Sequence, residues 1–165
     1  MEPILNCSIA TLKEVKKRWQ GIIYDNLDDN RYNLAADEFI EEIKKGTRVT
    51  YIAKFNDLIV CDLTVIVKEE GILHESQNTK ELVSQDKAFI CGVRTDKEFE
   101  NRGYFSKLYK YMENDLKNKG YKKLTISVEN NNTRAKEIYK HLGFTNFMRT
   151  ENNNGHIFEY YYKDI

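Results

Sequence analysis

Two apolar runs separated by only two residues set the strongest limit on the fold of this chain. The runs are RVTYIAKF, residues 48–55, and LIVCDLTVIV, residues 58–67, with Asn56 and Asp57 between them. Both are rich in Val, Ile and Thr, which favour strands, and a two-residue connection of turn-forming residues is typical of a β-hairpin. The chain is therefore expected to build a sheet with at least one antiparallel pair.

Helical patterns precede this hairpin. TLKE, residues 11–14, has the form of a capping box, and apolar residues follow it at helical spacing as far as Ile23. The polar tract at residues 24–33 reads as a loop, and the apolar pattern from Ala36 to Ile43 marks a second helix that Gly46 ends. A short strand is possible around Ile4 to Cys7.

Strands and helices alternate after the hairpin. KAFICGV (87–93) and KKLTISV (122–128) predict strands, each followed by a helix, and residues 69–86 have no clean period and predict a surface excursion. FTNFMR (144–149) and HIFEYYYKD (156–164) predict two last strands on either side of the turn ENNNG. This order predicts an α/β or α+β fold, with helices on both faces of a sheet of mixed strand direction.

Composition narrows the class of protein. The chain has 165 residues, the size of one domain, and its 26 basic residues balance 26 acidic ones. A balanced charge disfavours nucleic acid as a partner. The N-terminal segment has no signal-peptide pattern, and no run approaches the roughly 20 apolar residues of a membrane helix, so we expect a cytoplasmic protein without a membrane partner.

The cysteines and histidines predict neither a disulfide framework nor a metal site. Cys7, Cys61 and Cys91 are widely spaced, without any CxxC pair, and the three histidines are equally scattered. Cys91 could be considered as a nucleophile, but no His accompanies it in the pattern, and a cysteine inside a strand is usually an inert core residue. Each cysteine is most simply a reduced core residue.

A helix start with an unusual composition follows the strand at 87–93. In ENRGYFSKL, residues 100–108, Gly103 removes a side chain, Arg102 adds positive charge and Ser106 adds a donor. A helix start carries unpaired amides and a partial positive charge, so it can bind an anion such as a phosphate. An ordinary helix start with an incidental Gly and a solvated Arg fits the same residues, and this segment alone is weak evidence.

A second segment, at residues 128–144, makes the pattern specific. VRTDKEFENRGYFSKL and NNTRAKEIYKHLGF, in this order, resemble the two signature regions of the GNAT superfamily of acyl-CoA-dependent N-acyltransferases. The second region has the form NxxAxxxYxxxGF, and the matching residues are Asn132, Ala135, Tyr139, Gly143 and Phe144. The resemblance covers residues 87–144 well, and the remainder follows the family's order of strands and helices.

The resemblance implies a fold and a co-substrate. The fold would be one domain over residues 1–165, with a mixed, mostly antiparallel sheet of six to seven strands flanked by about four helices. Acetyl-CoA would lie where the strands ending near Val93 and Val128 splay apart. The implied cofactor-binding residues are Val93, Arg94, Thr95, Arg102, Gly103, Tyr104, Phe105, Ser106, Asn132 and Tyr139.

The resemblance implies that backbone groups make many of the contacts with acetyl-CoA. The amides of residues 102–106 would wrap the pyrophosphate, and the strand edge at residues 93–95 would pair with the pantetheine. An amide near Val93 would stabilise the negative charge that develops on the thioester oxygen. Asn132 is either the N-cap of its helix or a pantetheine contact, and one residue could do both.

Two catalytic residues are implied for direct attack of an amine on the thioester. Tyr139 matches the family position of the acid that protonates the leaving thiolate, although a tyrosine on an apolar helix face could also be a core residue. The family often has a base on the strand before the loop, where this chain has no Glu. Glu129 is the best candidate for that base, unless it caps the following helix and water accepts the proton.

The predicted function is an N-acetyltransferase for a primary amine that the sequence does not identify. The alternative is a non-catalytic acyl-CoA-binding or regulatory module, because the strand before the loop has no Glu and Glu100 stands where the family usually has Gln or Arg. Phe105, where the family usually has Gly or Ala, is a milder departure. Acidic residues at 25, 28 and 29 weakly favour a cationic acceptor such as a polyamine, an aminoglycoside or a peptide amine, although solvated loops are the simpler explanation of them. Exposed strand edges make a homodimer possible.

Overall fold

A computed structural model describes residues 3–71 and 79–165 of the chain. The helices are α1 (Leu12–Asp25), α2 (Arg31–Lys45), the short α3 (Thr79–Leu82), α4 (Tyr104–Asn118) and α5 (Thr133–His141), with a 3₁₀ turn at Lys97–Phe99. The strands are β1 (Asn6–Ile9), β2 (Arg48–Phe55), β3 (Leu58–Ile66), β4 (Lys87–Thr95), β5 (Lys123–Glu129), β6 (Asn146–Asn153) and β7 (His156–Asp164).

The strands that the structure describes form one sheet in the order β1-β2-β3-β4-β5-β7-β6. Every neighbouring pair is antiparallel except β4 and β5, which are parallel and joined through α4. The predicted hairpin is confirmed as β2 and β3, and the predicted fold class, a mixed but mostly antiparallel sheet with flanking helices, is confirmed as well. A parallel pair needs a crossover, and α4 is that crossover, packed against β1, β2 and β3.

Helices cover both faces of the sheet, as the alternation of side chains along the strands requires. On one face, Tyr51 is fully buried and its hydroxyl donates a hydrogen bond of 2.6 Å to Asp115 of α4. The main core lies here and includes Leu108 and Met112 of α4 and Phe144 after α5. On the other face, the neighbouring Ile52 packs toward α1 and α2. The central strands are therefore buried from both sides.

Several boundaries differ from the sequence prediction, and two of them have a clear local cause. The structure begins α2 at Arg31, inside the tract read as a loop, because the Asp29 carboxylate accepts the Arg31 amide at 3.1 Å and so replaces a missing backbone acceptor at the helix start. The turn ENNNG was predicted to be longer than it is, since β6 continues to Asn153. Only Asn154 and Gly155 form the turn, with φ of 53° and 88°, the left-handed pair that a tight hairpin needs.

The parallel pair opens after a short ladder. β4 and β5 pair only from Lys87 with Lys123 to Ile90 with Ile126, although β4 continues to Thr95 and β5 to Glu129. Beyond Ile90, β4 remains paired with β3 alone, and Gly92, at φ 81°, lies where the β3–β4 register shifts. An extra residue of this kind bends a strand. The edge of β4 at residues 93–95 therefore faces a gap in the sheet.

Candidate functional site

The gap between β4 and β5 continues into a cleft of about 410 Å³, which we call the β4–α4 cleft. Its walls are the end of β4, the loop and first turn of α4, and the first two turns of α5. The volume falls within the range of roughly 300–1,000 Å³ that is common for ligand pockets. All of the predicted cofactor-binding residues except Arg94 line this one cleft.

The helix start at α4 presents unpaired amides to the cleft. Gly103 is the N-cap, in the left-handed conformation at φ 76°, and no side chain caps the helix. Asn101 is also left-handed, at φ 60°. Among the described residues, the amides of residues 102–106 have no hydrogen-bond acceptor. A turn with left-handed residues before an uncapped helix forms a concave set of donors, which suits a phosphate.

Charged side chains surround these amides. Arg102 is exposed, stacks over the Phe99 ring at 5.6 Å, and is paired with no carboxylate in the described part of the chain. Glu100 lies across the cleft mouth, 3.7 Å from Arg134 of α5, and Arg134 also donates a hydrogen bond of 2.8 Å to Asn101. The Glu100 carboxylate therefore faces a guanidinium that bridges the two signature segments, and both side chains line the cleft.

Asn132 and Tyr139 bring α5 to the same cleft. The Asn132 side chain accepts the Ala135 amide at 3.1 Å, so the predicted N-cap is confirmed. Tyr139 is half-buried and lies edge-on to Phe144, with ring centroids 6.5 Å apart. Phe105, in the first turn of α4, packs against the core beside Tyr109, with ring centroids 6.3 Å apart, so the core accommodates its bulk although it also lines the cleft.

Glu129 lines neither the β4–α4 cleft nor the cavity described next. It lies at the end of β5, and its carboxylate contacts Nδ1 of the exposed His156 at 2.6 Å. The side chain that caps α5 is that of Asn132, so the alternative in which Glu129 caps this helix is wrong. The Glu129 backbone carbonyl does accept the Asn132 amide, at 2.9 Å, which helps the chain turn from β5 into α5.

A second cavity of about 240 Å³ lies on the opposite face of the sheet, enclosed by α1 and α2, and we call it the α1–α2 cavity. Val15, Trp19, Ile22 and Phe39 form its apolar wall, in which Trp19 and Phe39 stack edge-to-face at 5.2 Å. The floor is the sheet, from β2 to the bulge in β4. Val93 lines both this cavity and the β4–α4 cleft, so the two meet at the end of β4.

Buried ion pairs form the polar part of this cavity. Arg18 of α1 donates through Nε to Asp62 of β3 at 2.6 Å and through Nη1 to Asp96 at 3.1 Å, and the Arg18 and Asp62 side chains are each only 14% exposed. Burial raises the pKa of the Asp62 carboxyl above its usual range, although Arg18 and Arg94 oppose this shift. Farther along, Arg48 pairs with Glu42 and lies over the Phe39 ring at 4.4 Å.

The cysteines lie where the sequence prediction put them. Cys61 and Cys91 are buried, Cys7 is half-buried, and none of the three forms a disulfide. Burial raises the pKa of the Cys61 thiol to about 11, which disfavours the nucleophilic thiolate. Within residues 3–71 and 79–165, no group of His, Cys, Asp and Glu side chains is arranged to hold a metal ion, and no helix there is long and apolar enough to cross a membrane.

Sequence patterns missed the α1–α2 cavity almost entirely. Arg18, Asp62 and Asp96 lie on α1, β3 and the loop after β4, so no short motif contains them. The available signal was Asp62 itself, a carboxylate in the middle of the apolar run LIVCDLTVIV. The Arg94 side chain is also placed here and not in the β4–α4 cleft.

Comparisons of the sequence with known proteins point to one family. The model of the acetyltransferase (GNAT) family matches residues 24–144, well over half of the chain. No curated protein matches the chain in amino-acid sequence at a significant level.

Several solved structures described as acetyltransferases share the fold of this chain. A GNAT-family protein from Desulfovibrio desulfuricans has a TM-score of 0.74 at 9% identity, covering 98% of this chain and 99% of that one. The ribosomal-protein-S18-alanine N-acetyltransferase from Escherichia coli has a TM-score of 0.70 at 14% identity, covering 98% and 94%. A ribosomal L7/L12 α-N-protein acetyltransferase in complex with coenzyme A has a TM-score of 0.69 at 14% identity, covering 98% and 94%.

The identities are low, so these structures establish the shared fold and nothing finer about substrate. The family model is the stronger result, since it matches the chain across β4, α4, β5 and α5, the elements that build the β4–α4 cleft. The resemblance expected from the two signature regions is thereby confirmed. The chain belongs to the GNAT family of acetyltransferases.

Proposed function

We propose that this protein transfers the acetyl group of acetyl-CoA to a primary amine by direct attack, and that residues 1–165 form one catalytic domain. The observation that carries the proposal is the position of Val93, which lines both the β4–α4 cleft and the α1–α2 cavity. A transfer reaction without a covalent enzyme intermediate needs two binding sites that meet at the reacting atoms. The free edge of β4 is where these two sites meet.

The residues of the β4–α4 cleft fit a pyrophosphate and a pantetheine arm. The unpaired amides of residues 102–106 and the unpaired Arg102 supply donors and positive charge for the phosphates. The open edge of β4 at residues 93–95 offers backbone groups to an extended amide chain, which would add to the sheet as a strand does. An amide at the end of this edge, near Val93, would stabilise the negative charge that develops on the carbonyl oxygen.

Tyr139 is proposed as the acid that protonates the leaving sulfur. Its side chain lines the cleft together with Val93, and α5 is held in place there by the Asn132 cap. When bound, acetyl-CoA supplies an acyl thioester whose leaving thiolate has an ordinary pKa near 8.5, so a phenol close to it can donate a proton as the bond breaks.

Two carboxylates compete for the role of base. Glu129, the hypothesis from sequence, lines neither cavity and holds His156. Asp62 lines the α1–α2 cavity beside Arg94, and its raised pKa favours proton uptake from an ammonium ion. We propose Asp62 as the group that receives this proton, and we expect Glu129→Gln to change kcat/KM by less than about threefold.

Ligand-induced stabilisation and thiol release test the proposed function together. A thermal-shift titration with CoA and acetyl-CoA reports binding, because a ligand that binds only the folded state raises the melting temperature with concentration. Thiol release from acetyl-CoA in the presence of a panel of amines then reports transfer. The proposal requires both a shift and amine-dependent release, and no shift with either nucleotide would contradict it.

The non-catalytic module remains the second candidate function, favoured by the absence of a Glu on β4 and by the position of Glu129 outside both cavities. It predicts stabilisation by CoA and acetyl-CoA without thiol release from any amine. A matched control separates slow hydrolysis from transfer: release must scale with amine concentration and yield an acetylated amine by mass spectrometry.

A further inference from the structure

Among the described residues that line the α1–α2 cavity, one guanidinium, that of Arg94, forms no ion pair. Arg94 extends from β4 into this cavity, half-buried, opposite Asp62 in the β3–β4 register. In the part of the chain that the structure describes, no carboxylate lies within ion-pair distance of the Arg94 guanidinium. The other two cavity guanidiniums are different, because Arg18 is held by Asp62 and Asp96 and Arg48 by Glu42.

The Asp62 carboxylate has a free side of its own. Its Oδ1 accepts the Arg18 Nε at 2.6 Å, while the described residues donate no hydrogen bond to Oδ2. Residues directly opposite on antiparallel strands have Cα atoms about 5 Å apart. The cavity therefore presents a cation and an anion side by side, on the floor that leads to Val93 at the mouth of the β4–α4 cleft.

The rest of the cavity is small and apolar. Trp19, Phe39, Val15 and Ile22 wall it, and its volume of about 240 Å³ lies below the roughly 300 Å³ at which pockets for drug-sized ligands begin. A polyamine or an aminoglycoside would bring several positive charges to a cavity in which the Arg94 guanidinium forms no ion pair with the described residues, and like charges in a partly buried site repel. The acidic residues that suggested such acceptors lie at the end of α1 and in the loop to α2, where Asp29 is already paired with Arg31.

From these features we infer that the acceptor is an α-amino acid with an apolar side chain. The carboxylate of this amino acid pairs with Arg94, and its amine lies between Asp62 and the end of β4. Its side chain packs against the wall formed by Trp19 and Phe39. This inference rests on the proposed acetyl transfer and names the acceptor class of that reaction. A guanidinium and a carboxylate in planar contact form a charge-assisted, often bidentate pair, so the acid is distinguished from the corresponding amine.

Matched acceptors measure the part that the carboxylate plays. We would compare L-leucine and L-phenylalanine with their decarboxylated amines, isoamylamine and phenethylamine, in the acetyl-CoA thiol-release assay. The expected kcat/KM is higher for each amino acid than for its amine by about tenfold or more, a factor that a desolvated ion pair readily supplies. Arg94→Gln should abolish this preference by lowering the values for the amino acids alone. Lys97→Gln, which removes an exposed cation outside the cavity, should leave the preference intact.

Binding is measured separately so that the two proposals can fail independently. Calorimetry of L-phenylalanine with CoA-saturated protein, wild type and Arg94→Gln, reports recognition without turnover. Binding that Arg94→Gln weakens, with no thiol release, would support the acceptor class and contradict catalysis. Thiol release with a polyamine, an aminoglycoside or a peptide but not with the amino acids would leave acetyl transfer standing and overturn the acceptor class. Equal activity with acids and amines, or an equal loss for both in Arg94→Gln, would overturn it as well.

Discussion

The β4–α4 cleft and the α1–α2 cavity meet at Val93 but differ in their exposure to solvent and in the groups that carry their charge. The cleft is open, its donors are backbone amides, and its ion pair between Glu100 and Arg134 is exposed, at 39% and 61% of the two side chains. The cavity is less open, and it contains a buried ion pair in which the Arg18 and Asp62 side chains are each 14% exposed.

This difference has an energetic consequence. Exposed ion pairs contribute little to folding, because water solvates the separated charges almost as well. A buried pair is different: removing one partner leaves an uncompensated charge in a medium that solvates it poorly. Substitutions in the cleft should therefore change binding while the fold remains stable, and substitutions in the cavity should change both.

Arg18→Met should produce the largest effect on the fold. The change keeps an apolar stem but leaves Asp62 and Asp96 without their shared guanidinium, so we expect the free energy of unfolding to fall by about 3 kcal/mol. Burial already raises the pKa of Asp62, and removing Arg18 should raise it further. Above the usual carboxyl pKa, the folded variant then binds more protons than the unfolded chain, so the loss of stability should grow with pH. Urea unfolding at about pH 5 and about pH 8 measures both effects.

The reverse pH trend in Arg18→Met, with a smaller loss at high pH, would mean that Asp62 is not the group left uncompensated. An unchanged free energy of unfolding would mean that the Arg18–Asp62 pair contributes no more to stability than an exposed ion pair does. The expected energetic difference between the cavity and the cleft would then be wrong. Double substitution with Asp62→Leu should recover part of the lost stability, since an apolar pair of similar volume can replace a buried ion pair.

Tyr139→Phe should produce the largest effect on catalysis. We expect kcat to fall by roughly 10- to 1,000-fold, the range for loss of a general acid, with little change in the dissociation constant for acetyl-CoA. The ring keeps its edge-on contact with Phe144, so α5 should remain packed in the same position. Steady-state thiol release and a thermal shift measure the two quantities. Unaltered turnover would assign Tyr139 to the core alone.

The same two sites differ in how well the sequence predicts them. The cleft was foreseeable because its residues fall in two short segments, 93–106 and 132–139, each of which is one strand-to-helix connection. A left-handed Gly103, a side-chain cap at Asn132 and an apolar helix face all leave local traces in the sequence. The order of strands and helices was readable for the same reason, since each element carries its own period.

The α1–α2 cavity was not foreseeable, because its chemistry comes from pairs distant in sequence. Arg18 meets residues 44 and 78 positions away, and that distance leaves no period or spacing to recognise. The errors at the element ends have a similar cause: Asp29 starts α2 through one side-chain contact, and β6 extends into ENNNG because β7 pairs with it. Register across a sheet decides such details, and local propensity does not.

Arg102→Met makes in the β4–α4 cleft the same change that Arg18→Met makes in the α1–α2 cavity. Arg102 is exposed and pairs with no carboxylate in the described residues, so the free energy of unfolding should change by less than about 0.5 kcal/mol. We expect the dissociation constant for CoA to rise by about three- to tenfold, and by less at high salt, where surface charge is screened. Calorimetry with CoA at low and high salt measures this. A destabilised fold with unchanged CoA binding would reverse the assigned roles of the two arginines.

Glu100→Gln should produce the smallest effect, and its sign is informative. Glu100 and Arg134 lie 3.7 Å apart across the cleft mouth, so the neutral variant removes a negative charge near the phosphate donors and releases Arg134 to face the ligand. We expect CoA to bind about two- to threefold more tightly, because exposed charges interact weakly. Glu98→Gln, an exposed carboxylate in the preceding turn, is the matched control and should have no effect. Weaker binding in Glu100→Gln alone would show that the Glu100–Arg134 pair holds α5 and the α4 loop in the geometry that the ligand needs.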